Sequence, residues 1–168
     1  MKLTTKGRYA VMAMVDLARH SAGHPVALAD IAERQEISLS YLEQLFAKLR
    51  RGHLVKSVRG PGGGYLLARA SDDIRIADVI VAVDEPLMAT RCEFGSPKGC
   101  MADSSRCITH DLWDELSRQI HTFLSGVSLG DVISGRVAAQ RAADEVDPRL
   151  SFSAKNTRRM ADAGAAAE

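Results

Sequence analysis

The fold is decided by residues Leu28–Leu67, LADIAERQEISLSYLEQLFAKLRRGHLVKSVRGPGGGYLL. Leu28 to Gln35 reads as a short amphipathic helix, followed by a brief turn around Glu36-Ile37-Ser38. A second helix runs from Leu39 to about Arg51, with Leu42, Leu45, Phe46 and Leu49 recurring at helical spacing on one face. Two short helices joined by a tight turn form a helix-turn-helix. The second helix opens on Ser38, Leu39, Ser40 and Tyr41, a small and polar first turn that suits a major groove. Ser40, Tyr41 and Gln44 are then candidates for base edges or phosphates, although the same residues also make an ordinary packing unit with no ligand. The next segment decides between the two. Leu54–Arg59 and Tyr65–Arg69 are β-prone runs flanking Gly60-Pro61-Gly62-Gly63-Gly64, and a hairpin placed directly after a helix-turn-helix is a wing. Glycine at its tip lets the backbone approach a phosphate, and Arg59 beside it is placed to enter a narrow minor groove. The loop lacks the Lys-Ser/Thr of a nucleotide-binding P-loop and follows no βαβ unit.

Upstream, Thr4 and Thr5 precede a helix whose face is Tyr9, Ala10, Ala13, Met14, Leu17 and Ala18, with Gly23 and Pro25 ending it. This is the supporting helix of the motif. The formal net charge of +1 hides an asymmetry. Residues 1–69 carry eleven Lys and Arg against five Asp and Glu, whereas residues 70–168 carry eleven against sixteen. The first part is suited to a polyanion and the second is not. The N-terminus is interrupted by Arg8, Asp16 and Arg19, unlike a secretory signal, and no apolar run approaches the roughly 18 residues that cross a bilayer. Three cysteines, an odd number, in a chain with no recognisable export signal point to a reducing cytoplasm.

All three cysteines fall in one stretch, Arg91–His110, RCEFGSPKGCMADSSRCITH. Cys92, Cys100 and Cys107 are separated by Gly, Ser, Pro and Lys, and His110 follows the last by three residues. Core cysteines scatter along helices and strands; these sit in a polar, Gly-punctuated loop. Three thiolates and an imidazole can hold a tetrahedral Zn²⁺ or a [2Fe–2S] cluster, and the residue types alone leave both open.

Ala77 to Val83 reads as a short helix leading into this loop. Beyond it, Ser105 is expected to cap a helix carrying Leu112, Trp113, Leu116, Ile120, Phe123 and Leu124. That stripe is long and bulky for a small winged domain to cover, and a matching helix from a second subunit would bury it while presenting two recognition helices to a palindromic site. Ser128 and Asp131 stand in capping-box positions for one more short helix. The expected fold class is mainly α with a small β-hairpin wing. Its parts are a winged helix-turn-helix over 1–84, a cluster-binding loop over 85–111, a dimerisation helix with the following short helix over 105–135, and a disordered tail over 142–168.

The opening MKLTTKGRYAVMAMVDLARH, the stretch quoted first, and the loop ending CITHDLW together closely resemble the IscR family of winged-helix, cluster-sensing transcription regulators, over about residues 1–135. The resemblance implies a homodimer on pseudo-palindromic double-stranded DNA, with one [2Fe–2S] cluster per subunit bound by three Cys and one His. It also implies control of cluster-assembly genes, with the assembly machinery as cluster donor and cluster occupancy deciding which sites are bound. Carried over, Cys92, Cys100, Cys107 and His110 fall on ligand positions, and Ser40, Tyr41, Gln44, Arg59 and Gly60 to Gly64 fall on DNA-facing ones. The gaps between cysteines, seven and six residues, are longer than the family's usual ones; the extra residues lie in loop, so the ligand set should survive. Related three-cysteine regulators respond to nitric oxide or iron, and the Cys107-Ile108-Thr109-His110 step is what favours the cluster-sensing branch.

Glu43 is an acidic residue on a helix otherwise suited to DNA. It is either an outward carboxylate paired with Lys48 or Arg50, or a discriminator that accepts a hydrogen bond from cytosine N4. Nothing supports an enzyme: Asp84-Glu85 precedes Pro86 with no nucleophile nearby, and His20, His24, His53 and His121 read as surface or capping residues.

Overall fold

The structure, a computed structural model, describes residues 4–87 and 99–137. The chain divides into two compact units, Met1–Ser134 and Gly135–Glu168, of which the second is described only over residues 135–137. The expected tail over 142–168 and the ligand candidate Cys92 lie outside the described residues. In order, the elements are α1 (Thr5–His20), α2 (Leu28–Gln35), α3 (Leu39–Arg51), β1 (Val55–Val58), β2 (Gly64–Leu67), a 3₁₀ turn (Ser71–Asp73), α4 (Ile76–Ala82), α5 (His110–Gly126) and α6 (Leu129–Ile133). The mainly helical fold with one hairpin agrees with the expectation.

The core lies among the first four helices. Ala10, Ala13, Met14 and Leu17 of α1 meet Ile31 of α2, Leu42, Leu45, Phe46 and Leu49 of α3, and Val79 and Ile80 of α4, all buried. Removing that much apolar surface from water, at about 25 cal/mol per Å², is what holds short helices that are marginal alone. The helix-turn-helix angle has a second fastening. Asp16, buried on α1, accepts hydrogen bonds from Arg34 Nε at 3.1 and 3.2 Å, from Arg34 Nη2 at 2.6 Å and from Gln35 Nε2 at 2.7 Å. Burial pushes its carboxyl up, but the bonds and charge of Arg34, with the Gln35 bond, hold it below the usual value. The turn itself places Glu36 at φ +54°, a left-handed conformation unusual for a residue with a side chain, while buried Ile37 anchors the chain behind it.

The wing is antiparallel, pairing Val55 with Leu67 and Val58 with Gly64. Val26 forms an isolated bridge to Tyr65, with N–H to O bonds of 3.0 and 2.8 Å in the two directions, which ties the segment before α2 to the hairpin. Tyr65 also packs edge-on against Phe46, ring centres 4.9 Å apart.

Glu85 closes the N-terminus of α1. Its carboxylate accepts from Thr4 N at 2.6 Å, Thr4 Oγ1 at 2.5 Å and Gly7 N at 2.7 Å, so orphan donors of the first helical turn are met by a side chain from beyond α4. At the other end, α6 is clamped onto the winged domain by Ile76 N to Val127 O (2.9 Å) and Leu129 N to Ile74 O (3.0 Å). Both bonds of the expected capping box at Ser128 and Asp131 are present.

One expected boundary is wrong. Ser105 does not cap α5: its N–H and Oγ both bond to Asp103 Oδ1, at 2.9 and 2.6 Å, closing a local turn. The backbone stays irregular until Thr109, the actual N-cap, and α5 begins at His110.

Candidate nucleic-acid interface and metal centre

With Leu42, Leu45, Phe46 and Leu49 turned into the core, the opposite face of α3 is left to Ser40, Glu43, Gln44 and Ala47, all exposed and spaced three and four residues apart. Ser38 is the N-cap and is exposed, and its hydroxyl makes no capping bond. Tyr41 is half-buried, held edge-on by Tyr9 of α1 with ring centres 6.2 Å apart. The supporting helix thereby fixes the ring at the rim of the exposed face. The expected partners of Glu43 are not its partners. Lys48 Nζ lies 2.8 Å from Asp84 Oδ2, and among the described residues Glu43 makes no ion pair. The Lys48 bond and charge hold the Asp84 carboxyl below its usual value.

At the wing, Arg59, Gly60, Pro61 and Gly62 are exposed, and Gly63 N bonds to Gly60 O at 2.9 Å to close the turn. The glycines divide into two kinds. Gly60 (φ +105°) and Gly62 (φ +69°) adopt left-handed backbone and face open space. Gly63 and Gly64 have no room for a Cβ, which would run into the carbonyl oxygens of Val58 and Gly60 in one case and of Val26 in the other. Gly64 is therefore required by the Val26 bridge whatever it does toward DNA. Lys56 on β1 and Arg50 and Arg51 in the last turn of α3 are exposed as well and carry part of the positive charge of residues 1–69. Lys56 and Arg51 are not singled out by the sequence pattern, in which only the clustered charge points to them.

The second site is built where the loop meets α5. Cys100, Cys107 and His110 converge, with their ligand atoms all within 4.8 Å of one another. Cys100 Sγ lies 3.6 Å from His110 Nδ1 and accepts from Cys107 N at 3.1 Å. His110 is only 5% exposed and is the first residue of α5, so the helix fixes the imidazole while the loop brings the sulfurs to it. The loop is shaped by Gly99, whose Cβ would collide with the carbonyl oxygens of Ser104 and Ser105, and by Ser104 at φ +64°. Bonds from Gly99 N to Ser104 O and from Met101 N to Ser105 O complete it. Metal–ligand distances of about 2.0–2.3 Å put donors around one tetrahedral ion about 3.3–3.8 Å apart. With all separations within 4.8 Å, a small inward movement would let the three donors hold one ion or one face of a larger inorganic core.

Around this site, Thr109 Oγ1 lies 3.8 Å from Cys107 Sγ and accepts from Trp113 Nε1 at 3.0 Å. Neither role was evident in the sequence, since Trp113 reads there as one more apolar residue of the stripe. Along α5, Leu112 (60%) and Phe123 (59%) are strongly exposed and Leu116 is exposed too, so the winged domain leaves half of that stripe exposed and buries none of it fully. No helix among the described residues is long and apolar enough to cross a membrane.

Comparison with known proteins agrees with this geometry. The chain is 57% identical over 136 residues to the HTH-type transcriptional regulator IscR of Photorhabdus laumondii, covering 81% of each chain. Among solved structures, T. potens IscR superposes with a TM-score of 0.64 at 39% identity, covering 83% of this chain and 91% of that one. The global cysteine regulator CymR of B. subtilis superposes with a TM-score of 0.67 at 31% identity, covering 80% and 97%. Residues 3–135 match the Rrf2 family, described as iron-dependent transcriptional regulator. The chain belongs to the Rrf2 family: it is a DNA-binding winged-helix transcriptional regulator and not an enzyme.

Proposed function

We propose that this regulator senses iron–sulfur cluster status through a [2Fe–2S] cluster held by Cys92, Cys100, Cys107 and His110, and controls genes of cluster assembly. The observation that carries the reading is the convergence of Cys100, Cys107 and His110 within 4.8 Å at the start of α5. Three thiolates with one imidazole suit a cluster whose occupancy is a signal. A neutral ligand raises the reduction potential, and an imidazole is a ligand that a proton can displace. When bound, the cluster supplies a labile link that crosslinks the loop to α5.

The protein residues turn occupancy into DNA binding. The loop leaves the winged domain just after Glu85, which holds the first turn of α1, and α1 in turn steadies Tyr41 of α3 through Tyr9. Glu85 before the cysteines and His110 after them are the points at which a bound centre would act on the winged domain and on α5. Binding that favours one arrangement shifts the population of DNA-binding states. Ser38, Ser40, Tyr41, Glu43 and Gln44 face the major groove in this reading, while Arg59 and the Gly60–Gly64 tip reach the adjacent backbone or minor groove. The uncovered face of α5 supports a homodimer, which would address pseudo-palindromic operators in the cytoplasm with the assembly machinery as cluster donor.

Anaerobic isolation with iron and acid-labile sulfide analysis tests the cofactor. The wild type should carry two irons and two sulfides per chain, as a [2Fe–2S] site requires, and Cys100→Ala should lose most of both. A colourless protein with one zinc per chain, or a Cys100→Ala variant with full iron and sulfide, refutes the assignment.

A further inference from the structure

Thr109 stands at the N-cap of α5, where a threonine hydroxyl ordinarily accepts from the backbone N–H two or three residues on. It makes no such bond. The hydroxyl oxygen instead accepts from the indole N–H of Trp113, one turn further along, at 3.0 Å, and lies 3.8 Å from Cys107 Sγ. The hydrogen-bond inventory sets the direction of this chain. An indole nitrogen only donates, so it occupies a lone pair of the hydroxyl and leaves the hydroxyl hydrogen available. A metal-bound thiolate only accepts, so that hydrogen points to sulfur. Donation from the indole also polarises the hydroxyl and makes it the stronger donor.

We propose that Thr109 is a positioning and tuning residue for the inorganic centre: its hydroxyl, oriented by Trp113, donates a hydrogen bond to the Cys107 thiolate. This rests on the cluster reading given above and deepens it. A hydrogen bond to a ligand sulfur withdraws electron density from it, which favours the reduced state and raises the reduction potential. The same bond links the centre to α5, because drawing Cys107 Sγ toward a metal must move the hydroxyl and the indole N–H that donates to it. Trp113 is the only tryptophan of the chain, so its emission reports that movement without a label.

The test uses the full-length chain as wild type, Thr109→Val, Thr109→Ser and Trp113→Phe, with circular dichroism confirming the fold of each. Valine keeps the shape of threonine and removes the hydroxyl; serine restores it. After anaerobic reconstitution with iron and sulfide, reductive titration should place Thr109→Val at a more negative potential than wild type. Thr109→Ser should lie at the wild-type value, and Trp113→Phe should be shifted in the same direction as valine but less. In a second arm, Zn²⁺ added to the metal-free chain should shift Trp113 emission in wild type and Thr109→Ser, and the shift should be lost in Thr109→Val. If wild type takes up no iron and sulfide, the cluster reading fails while the Zn²⁺ arm still judges the hydroxyl. A Thr109→Val chain with wild-type potential and wild-type Zn²⁺ response overturns the proposal, as does failure of serine to restore either. Should Thr109→Val not fold, an unchanged potential in Trp113→Phe overturns it instead.

Discussion

Two carboxylates show how much depends on single residues. Glu85 was read in the sequence as an idle member of an acidic pair, and no local pattern could have said otherwise, because its partners Thr4 and Gly7 lie 81 and 78 residues away. Burial pushes its carboxyl up, but the Thr4 hydroxyl bond and the Thr4 and Gly7 N–H bonds more than offset that and hold it below the ordinary value of 4.5. A carboxylate with a depressed folded value contributes stability that is present above the unfolded value and lost as pH falls through the folded one. Wild-type stability should therefore drop below about pH 4.5, and Glu85→Gln should flatten part of that drop while costing about 1.5–3 kcal/mol at neutral pH. Urea melts of both proteins across pH 3–7 check this, and parallel curves would remove Glu85 from the account. Glu43 is the second case. Its exposure and its lack of an ion pair among the described residues leave an uncompensated negative charge on the face assigned to DNA. In the proposed DNA-bound arrangement it would accept a hydrogen bond where cytosine N4 is offered and be desolvated beside a polyanion elsewhere. Glu43→Ala should bring the affinities of cluster-loaded and cluster-free protein for duplexes with and without cytosine at that position closer together. A change of all four affinities by one factor would reduce Glu43 to general electrostatics.

At the scale of elements, the recognition helix, the wing and the short helix α4 were legible because each is announced locally, by a 3.6-residue stripe or by β-prone runs around glycine. The start of α5 was not. Ser105 has the right chemistry for a cap, but Asp103 two residues earlier captures both its N–H and its hydroxyl, and the site's geometry delays the helix to His110. Nor did sequence distinguish the wing glycines that free the backbone, Gly60 and Gly62, from those that make room for Val58 and Val26, Gly63 and Gly64. That difference depends on a bridge to residues before α2, outside the hairpin. Arg59, exposed at the base of the tip, is the wing's expected contact with DNA. Arg59→Ala should weaken binding and lower the slope of log affinity against log salt by about 1 if the contact is a phosphate, or relax a local A/T preference if it enters the minor groove. A salt series on specific and scrambled duplexes separates the two, and unchanged affinity and slope on both would place Arg59 outside the interface.

At the scale of the whole molecule, charge, apolar surface and ligand chemistry are segregated along one chain. The basic first 69 residues hold the helix and wing proposed to meet DNA, the loop holds the cysteines, and α5 carries the apolar stripe that a second subunit would cover. This segregation makes the order of parts legible in the sequence, whereas the links between them are not. The Asp16–Arg34 fastening and the Glu85 cap each join residues that only folding brings together. The central claim is that occupancy of the Cys and His site decides which DNA is bound. Its most direct test is selection from a pool of random-sequence duplexes by the full-length chain, cluster-loaded in one arm and stripped of metal in the other. The account predicts that the loaded protein recovers two-fold symmetric sites, with half-sites about one helical turn apart, that the stripped protein does not enrich. Recovery of the same sites in the same rank order by both forms would contradict it.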